Sequence, residues 1–497
     1  MANLTQQQNS FCEPAIYTRR RPDRTLLHQL VKKHFQDFDQ SANKTHSSKT
    51  VPPSVRREFE DYLNCGRLEK GFIKLACTEC SRNTLVAFSC KRRGFCPSCG
   101  ARRMSQTAAH LVDKVLPLQP YRQWVLSLPY PLRFLVAREP EVLSLTLSIT
   151  YKVIARFLTQ STAPTKQQAH TGGVAVVQRF GSALNLNPHF HMLMLDGVYY
   201  NSSSGQLKFK QACPPTQAQI QQITVTIAQR VAKALVKSGH LVCDEQAGHY
   251  LPDQVVDLLG DLQSHSITYR IATGPRRGQK VFQLQLIEPC EDNGQSASDP
   301  VANYAGFNLH AGLKIGSKRR DKLERLCRYI SRPPLAQARL TLTEENKVAY
   351  RLKSPFRNGT THIIFESDDF ISKLSALIPP PRANLTRYFG VFAPASNFRS
   401  QIIPNQENVK KTTLCTKSTT SNHRYIPWAS LLKRVFKIDV EKCTLCGGRV
   451  EVVEIVTEQT KIEVLLSDME EAGQLDRSEP TFEQIAQGLR GPPELLI

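Results

Sequence analysis

The stretch Asn187-Pro188-His189-Phe190-His191-Met192-Leu193-Met194-Leu195-Asp196-Gly197 sets two imidazoles one residue apart in a run that otherwise reads as an apolar strand. Alternate residues of a strand share a face, so His189 and His191 project with Leu193 and Leu195, while Phe190, Met192 and Met194 line the other side. Asp196-Gly197 supplies a turn that ends the strand. A strand apolar on both faces is buried, and imidazoles buried without partners are costly. Two arrangements satisfy them: hydrogen bonds to backbone, or a divalent metal held between neighbouring ring nitrogens.

Working outward, Val174-Ala175-Val176-Val177-Gln178 reads as an adjacent strand, and Gln123-Trp124-Val125-Leu126-Ser127-Leu128-Pro129 as a further one closed by proline. Pro140 sits where a first helical turn tolerates it and opens an apolar helix through about Leu158. Ile220, Ile223, Ile227, Val231 and Leu235 recur at helical spacing, with Gly239 as the stop. A helix is expected over Leu26 to Phe38, a strand around Val281, Leu284 and Leu286, and a hairpin around Asn358-Gly359. Strands interleaved with helices predict an α+β fold, a central antiparallel sheet flanked by helices.

Composition narrows the partners. The 497 residues carry a formal net charge of +22 and 14 cysteines, with an isoelectric point near 9.5. Such an excess of Lys and Arg fits a polyanion, and DNA is the expected partner. No apolar run approaches the roughly 20 residues that span a bilayer, and no basic amphipathic helix carries an aromatic apolar face, so a membrane is not expected. The amino terminus has no apolar signal core ahead of Arg19-Arg20-Arg21. Cysteines arranged as Cys-x-x-Cys pairs in such a chain indicate metal rather than disulfides, and an intracellular, cytoplasmic location.

Cys77-x-x-Cys80 and Cys96-x-x-Cys99 are fifteen residues apart, a spacing at which two knuckles close on one tetrahedral zinc. Cys65 and Cys90 are additional thiols, able to serve a second site or to stay buried and unmetallated. Lys91, Arg92, Arg93, Arg102 and Arg103 surround these cysteines and offer either a DNA grip or a solvated basic face. Further on, Cys443-Thr444-Leu445-Cys446-Gly447-Gly448 is a single knuckle with no second pair nearby: either Cys415, His423 or a second copy of the chain completes it, or it binds nothing. The domains expected are residues 1–55 (a helix and a polar linker ending at Pro52-Pro53), 56–115 (zinc and DNA contact), 116–395 (the sheet), 396–424 (a polar linker) and 425–497 (a small module with the last knuckle). No internal repeat of 20 to 50 residues is evident.

Ser317 to Ile330 reads Ser-Lys-Arg-Arg-Asp-Lys-Leu-Glu-Arg-Leu-Cys-Arg-Tyr-Ile. Ser317 can cap this helix and Arg332-Pro333-Pro334 halts it. Leu323, Leu326, Cys327 and Ile330 form its buried stripe. At about 100° per residue, Tyr329 falls on the border of that stripe, with Arg325, Arg328 and Arg332 further round. A phenol at the rim of a basic face can meet a phosphodiester, whereas a core tyrosine cannot.

Taken in order, these segments resemble bacterial transposases of the insertion sequence ninety-one type, rolling-circle enzymes of the HUH endonuclease superfamily that include the common-region elements. The likeness is carried by Ala87 to Arg103 with its Cys-Pro-Ser-Cys, by Leu186-Asn187-Pro188-His189-Phe190-His191, by Leu326 to Leu335, and by Pro379-Pro380-Pro381-Arg382 through Gly390-Val391-Phe392-Ala393-Pro394. It runs from about Tyr17 to Glu454. The resemblance implies an HUH-type sheet in which His189 and His191 hold magnesium or manganese against the scissile phosphate. It implies that Tyr329 attacks phosphorus, releases a 3′-hydroxyl and keeps a 5′-phosphotyrosine link, on single-stranded DNA at element ends and target. Arg325, Arg328 or Arg332 would offset charge in the transition state. A third metal ligand is implied, for which Gln178 is the candidate.

Some members of that family carry two tyrosines four residues apart on this helix. Here position 325 is arginine, which implies a single-tyrosine mechanism, completed by reuse of Tyr329 or by a second copy in a homo-oligomer. Tyr388 is the fallback nucleophile. Two other classes remain open at this stage: a noncatalytic zinc-finger DNA-binding regulator, and a metal-dependent hydrolase that forms no covalent intermediate.

Overall fold

The computed structural model describes residues 20–45, 51–162, 169–202, 204–244, 248–250, 257–285, 301–356, 358–404 and 426–473, with 475 and 482. They fall into two compact units. The larger comprises Asp23–Leu63, Lys91–Lys417 and Glu479–Ile497; the smaller comprises Met1–Pro22, Asn64–Cys90 and Ser418–Ser478.

A seven-stranded sheet organises the larger unit. Its strands are β1 (Tyr121–Ser127), β2 (Gly172–Phe180), β3 (Leu186–Leu195), β4 (Val301–Tyr304), β5 (Phe307–His310), β6 (Lys314–Ile315) and β7 (Thr386–Gly390). Across the sheet the order is β4-β5-β1-β3-β2-β7, with β6 also on β1. Every pairing is antiparallel. The histidine strand β3 is therefore central, and its alternation sorts side chains into two cores. Phe190, Met192 and Met194 pack with residues of three helices, α1 (Tyr130–Arg138), α2 (Pro140–Thr162) and α3 (Gln217–Lys237). Leu193 and Leu195 pack on the other face with Leu323, Leu326, Cys327 and Ile330 of α4 (Arg320–Ile330). Each such buried side chain contributes on the order of 1.5–3 kcal/mol, so a one-residue register slip in β3 would exchange both cores at once.

Local chemistry fixes the helix ends. Thr216 and Gln219 form a capping box at the start of α3, and Gly239 takes φ +74° beyond its end. Helix α4 begins later than expected. Arg319 is its N-cap and gives no side-chain cap, because a turn closed by the Arg319 N–H on the Gly316 carbonyl at 3.0 Å takes up Ser317. The leading helix runs to Thr45 rather than Phe38. Asp196 does not end the chain's extended course. It is a bend into a further strand, Gly197–Asn201, and it lies buried against Arg122 at 2.9 Å and Lys314 at 3.4 Å.

Helix α2 is long and apolar enough by length and composition to cross a membrane, so one such segment exists where none was expected. Its Val142, Leu147, Ile154 and Leu158 lie in the same core as Ile220, Ile223 and Ile227 of α3, which accounts for its apolarity. The hairpin expected around Asn358-Gly359 joins Val348–Arg351 to Thr360–Phe365. The strand near Val281 covers Phe282–Gln285, and Leu286 lies outside the described residues.

In the smaller unit, Val450–Val456 and Asn83–Ala87 flank Phe72–Cys77 in an antiparallel three-stranded sheet. The helix Gln459–Glu471 sets Ile462 and Leu466 against Leu68, Phe72, Leu85 and Val456. The division at 425–497 is therefore corrected. That segment is no separate module, because its strand hydrogen-bonds to the one that carries Cys77. The polar stretch with Cys415 and His423 lies outside the described residues, as does most of the linker before Pro52.

Candidate active site and zinc centre

Strand pairing positions the histidine centre. His189 faces Ser127 on β1 and Gln178 on β2, and His191 faces Val125 and Val176. The two rings stand 4.9 Å apart between centroids. His189 Nδ1 lies 2.7 Å from the Asn187 carbonyl oxygen, which can only accept, so Nδ1 carries the proton and Nε2 keeps a lone pair. His191 Nδ1 accepts from the side-chain amide nitrogen of buried Gln123 at 2.8 Å. A turn of that amide would give Nδ1–H an oxygen acceptor and free Nε2 of His191 to ligate.

Burial sets the charge state. Desolvation pushes His191 down to about 3, with His189 and Arg332 adding to it. His189 is lowered by desolvation against the pull of its Asn187 partner, and Arg332 and Arg133 lower it further. Both imidazoles are neutral at pH 7, the form that binds metal.

Tyr329 stands beside this pair. Its ring is 6.1 Å from that of His191 and nearly perpendicular, at 83°, and it is 42 % exposed. The Arg332 guanidinium lies 4.1 Å from the Tyr329 ring centroid and Lys353 Nζ 5.2 Å. Gln178 explains why the ring is there. Its amide nitrogen donates to the carbonyls of Tyr329 at 3.1 Å and Ile330 at 2.8 Å, satisfying the end of α4 and tying it to the strand beside His189. That leaves Gln178 Oε1 buried and without a partner. Tyr388 sits elsewhere: on β7 opposite Val174, half-buried, with burial raising its phenol above the ordinary value. Of Arg325, Arg328 and Arg332, the last is brought to the ring, Arg325 is exposed one turn before Tyr329, and Arg328 is half-buried between them.

The basic residues near the first cysteines are partly committed within the protein. Arg92 is ion-paired with Asp61, and Arg103 Nη2 donates to the Lys91 carbonyl at 3.0 Å. Arg93 donates to the Ala383 carbonyl, while Lys91 takes φ +55°. Arg102 lies half-buried on the helix Pro97–His110.

The cysteines group differently from the sequence expectation. Cys77 and Cys80 meet Cys443 and Cys446, with all four sulfur atoms within 4.8 Å of one another. Cys77 Sγ is 3.4 Å from Cys446 Sγ, and Cys80 Sγ is 3.7 Å from Cys443 Sγ. A zinc tetrahedron with bonds of about 2.3 Å has edges of about 3.8 Å, so the donor set fits that ion. The expected set of Cys77, Cys80, Cys96 and Cys99 is corrected accordingly: spacing identified the knuckles but not their partner. Gly448 is demanded here, since a Cβ would fall 3.0 Å from Cys77 Sγ and 2.5 Å from Glu79 Cγ. Backbone N–H groups of Cys446 and Leu445 pull the Cys443 thiol down to about 6. The Gly448 N–H pulls on Cys446 too, but neighbouring Cys77 and Cys80 push it up to about 12. Thiolates crowded this closely need a cation to coexist. Cys65 accepts from the Cys90 N–H at 3.3 Å. Cys96 holds the N-cap position of the helix Pro97–His110 without a side-chain cap, and Cys99 is buried in its first turn.

Two family models match the chain: "Transposase zinc-binding domain" over residues 30–128 and "Putative transposase" over residues 172–400. The chain belongs to the transposases of the insertion sequence ninety-one type. No curated protein and no solved structure matches it. As a transposase it is a DNA-binding and DNA-cleaving enzyme, and its zinc-binding domain and cysteine cluster assign it structural zinc. The second match spans Gln178, His189, His191 and Tyr329 in one segment. The first contains Cys77 and Cys80 but ends far short of Cys443 and Cys446, which complete their centre in this transposase.

Two residues at the histidine centre had escaped sequence reasoning. Gln123 had a signal, as a polar residue inside an apolar strand. Lys353 had none, because only the path of the chain after Arg351 brings it to Tyr329.

Proposed function

We propose that this transposase nicks and rejoins single-stranded DNA at the ends of its element through a 5′-phosphotyrosine formed on Tyr329, in an HUH-type centre that holds magnesium or manganese. The observation that carries this reading is the Tyr329 ring standing edge-on to His191 on a helix end anchored beside His189. A divalent cation bound by His189 and His191 would polarise the scissile phosphate, and the unpartnered Oε1 of Gln178 is the candidate third donor. Tyr329 Oη forms the bond to phosphorus as the bond to the 3′-oxygen breaks, and the phenolic proton ends on that oxygen. The released strand keeps a 3′-hydroxyl, and the tyrosyl ester conserves the bond energy for rejoining. Arg332 and Lys353 offset the charge that gathers on the phosphate, with Arg325 and Arg328 binding flanking phosphates. Lys91, Arg93, Arg102 and Arg103 extend the DNA contact, with Arg92 kept by Asp61 for holding its own loop. The enzyme works at DNA in the bacterial cytoplasm.

The metal complement follows from the cysteines. Cys77, Cys80, Cys443 and Cys446 hold one zinc. Metal analysis of the purified chain should return zinc.

Incubating the protein with single-stranded DNA from the element's termini and manganese should yield a band of protein covalently joined to DNA that survives denaturation. Tyr329→Phe should remove that band while salt-sensitive binding persists. Capture that survives Tyr329→Phe but fails with Tyr388→Phe would move the nucleophile. Cleavage without an adduct would make the enzyme a hydrolase.

A further inference from the structure

A second exposed ring stands at the sheet end that carries the histidines. Strand β1 ends at Ser127, directly opposite His189. Three residues on, Tyr130 opens α1 with 52 % of its surface exposed. The helix that it starts buries Leu132, Leu135, Val136 and Ala137, so the ring lies outside a core that its neighbours complete. Arg133, nearly one turn later, sets its guanidinium 4.4 Å from the centroid of the Tyr130 ring. Its Nε donates to the Leu128 carbonyl at 2.7 Å, which fixes the guanidinium in place. The ring is thus backed by a cation on one side and open on the other.

The adjoining hairpin reinforces the placement. Gly306, between β4 and β5, lies so close to Pro129 that a Cβ there would fall 2.8 Å from Pro129 Cβ. Tyr304, at the end of β4, is itself 39 % exposed. Tyr130, Tyr304 and Tyr329 are the tyrosines of highest exposure among the described residues. Pro129 and its neighbours bring the first two to the same turn region, and β1 leads from it back to the strand pair that carries His189.

We propose that Tyr130, backed by Arg133, is a stacking platform that takes a nucleobase of the single strand beside the scissile phosphate. Every base has a π-face, so the platform is tolerant of sequence, and the Arg133 charge favours the accompanying phosphate. This inference rests on the reading that the substrate is single-stranded DNA, and it adds to the chemistry at Tyr329 a site that holds the strand without reacting with it.

The test is equilibrium binding of the full-length protein to a fluorescein-labelled single-stranded oligonucleotide of mixed sequence at fixed salt, with covalent capture assayed alongside. Tyr130→Ala should weaken binding about 5- to 150-fold, since stacking on one aromatic is worth on the order of 1–3 kcal/mol. Tyr130→Phe and Tyr130→Trp should bind as wild type does, and the salt dependence of Tyr130→Ala should be unchanged because no charge is lost. Wild-type affinity in Tyr130→Ala, while the wild type still forms its covalent adduct, overturns the platform and leaves the proposed function standing. A loss in Tyr130→Phe equal to that in Tyr130→Ala also overturns it, since the hydroxyl rather than the ring face would then be the contact. A wild-type protein that ignores single strands sinks both.

Discussion

The two centres of this molecule are built in opposite ways. The histidine centre draws its imidazoles from neighbouring positions of one central strand, held by pairing on both sides before any ion arrives. The cysteine centre draws its thiols from two turns whose sulfur partners are 363 residues apart in the chain, Cys80 and Cys443. In the proposed mechanism the first is a rigid frame to which an ion would add chemistry; the second is a junction that zinc itself closes. A frame rigid before binding in the larger unit and a closure that depends on metal in the smaller one are thus separate uses of paired ligands.

The sharpest way to break this contrast is to remove zinc. Cys443→Ser with Cys446→Ser should lower zinc content by one ion and expose the strand Val450–Val456 to protease. The seven-stranded sheet should keep its own melting transition. If the two transitions fall together, the junction is not a separate element.

Next comes His191→Ala, which should lower covalent capture about 10³-fold, the several kcal/mol expected of a Lewis acid, while zinc content stays unchanged. Capture within tenfold of wild type would show that the imidazoles only fill the core.

Acid offers a gentler probe. The unfolded chain protonates His191 as pH falls through 6.5, but the folded one resists to about 3. Stability is therefore complete above pH 6.5 and drains away between 6.5 and 3. At pH 5 the loss is about 2 kcal/mol from this one ring. Melting at pH 7.5 and 5.0 should show a drop that shrinks in His191→Leu; an equal drop in both would place the sensitivity elsewhere.

The smallest effect is expected of Gln178→Leu. Freeing the end of α4 should cost on the order of 1–3 kcal/mol of stability and about 10–100-fold in capture, read by thermal melts and adduct yield. Unchanged capture would show that the helix holds Tyr329 without that amide.

Much of the histidine centre was legible because it depends on local periodicity. Alternation in β3 assigned Phe190, Met192 and Met194 to one core and Leu193 and Leu195 to the other, and the stripe of α4 placed Tyr329 at its border. The cysteine centre was only half legible. A Cys-x-x-Cys turn announces two ligands, yet nothing in its spacing says which other turn will face it, and strand pairing between Phe72–Cys77 and Val450–Val456 decided that. Ser317 fails as a cap for a related reason, since the chain turns there from Gly316 to Arg319 and the helix starts only at Arg320. Gln123 and Lys353 act through tertiary proximity, which no linear pattern encodes.

The late arrival of Cys443 and Cys446 bears on synthesis. A ribosome travels 363 residues from Cys80 to Cys443 before the tetrahedron around Cys77 can be filled. A message interrupted between Tyr329 and Cys443 yields a product that keeps that tyrosine and its imidazoles but leaves Cys77 and Cys80 short of their complement, so reading through to Cys446 is a condition of finishing the fold.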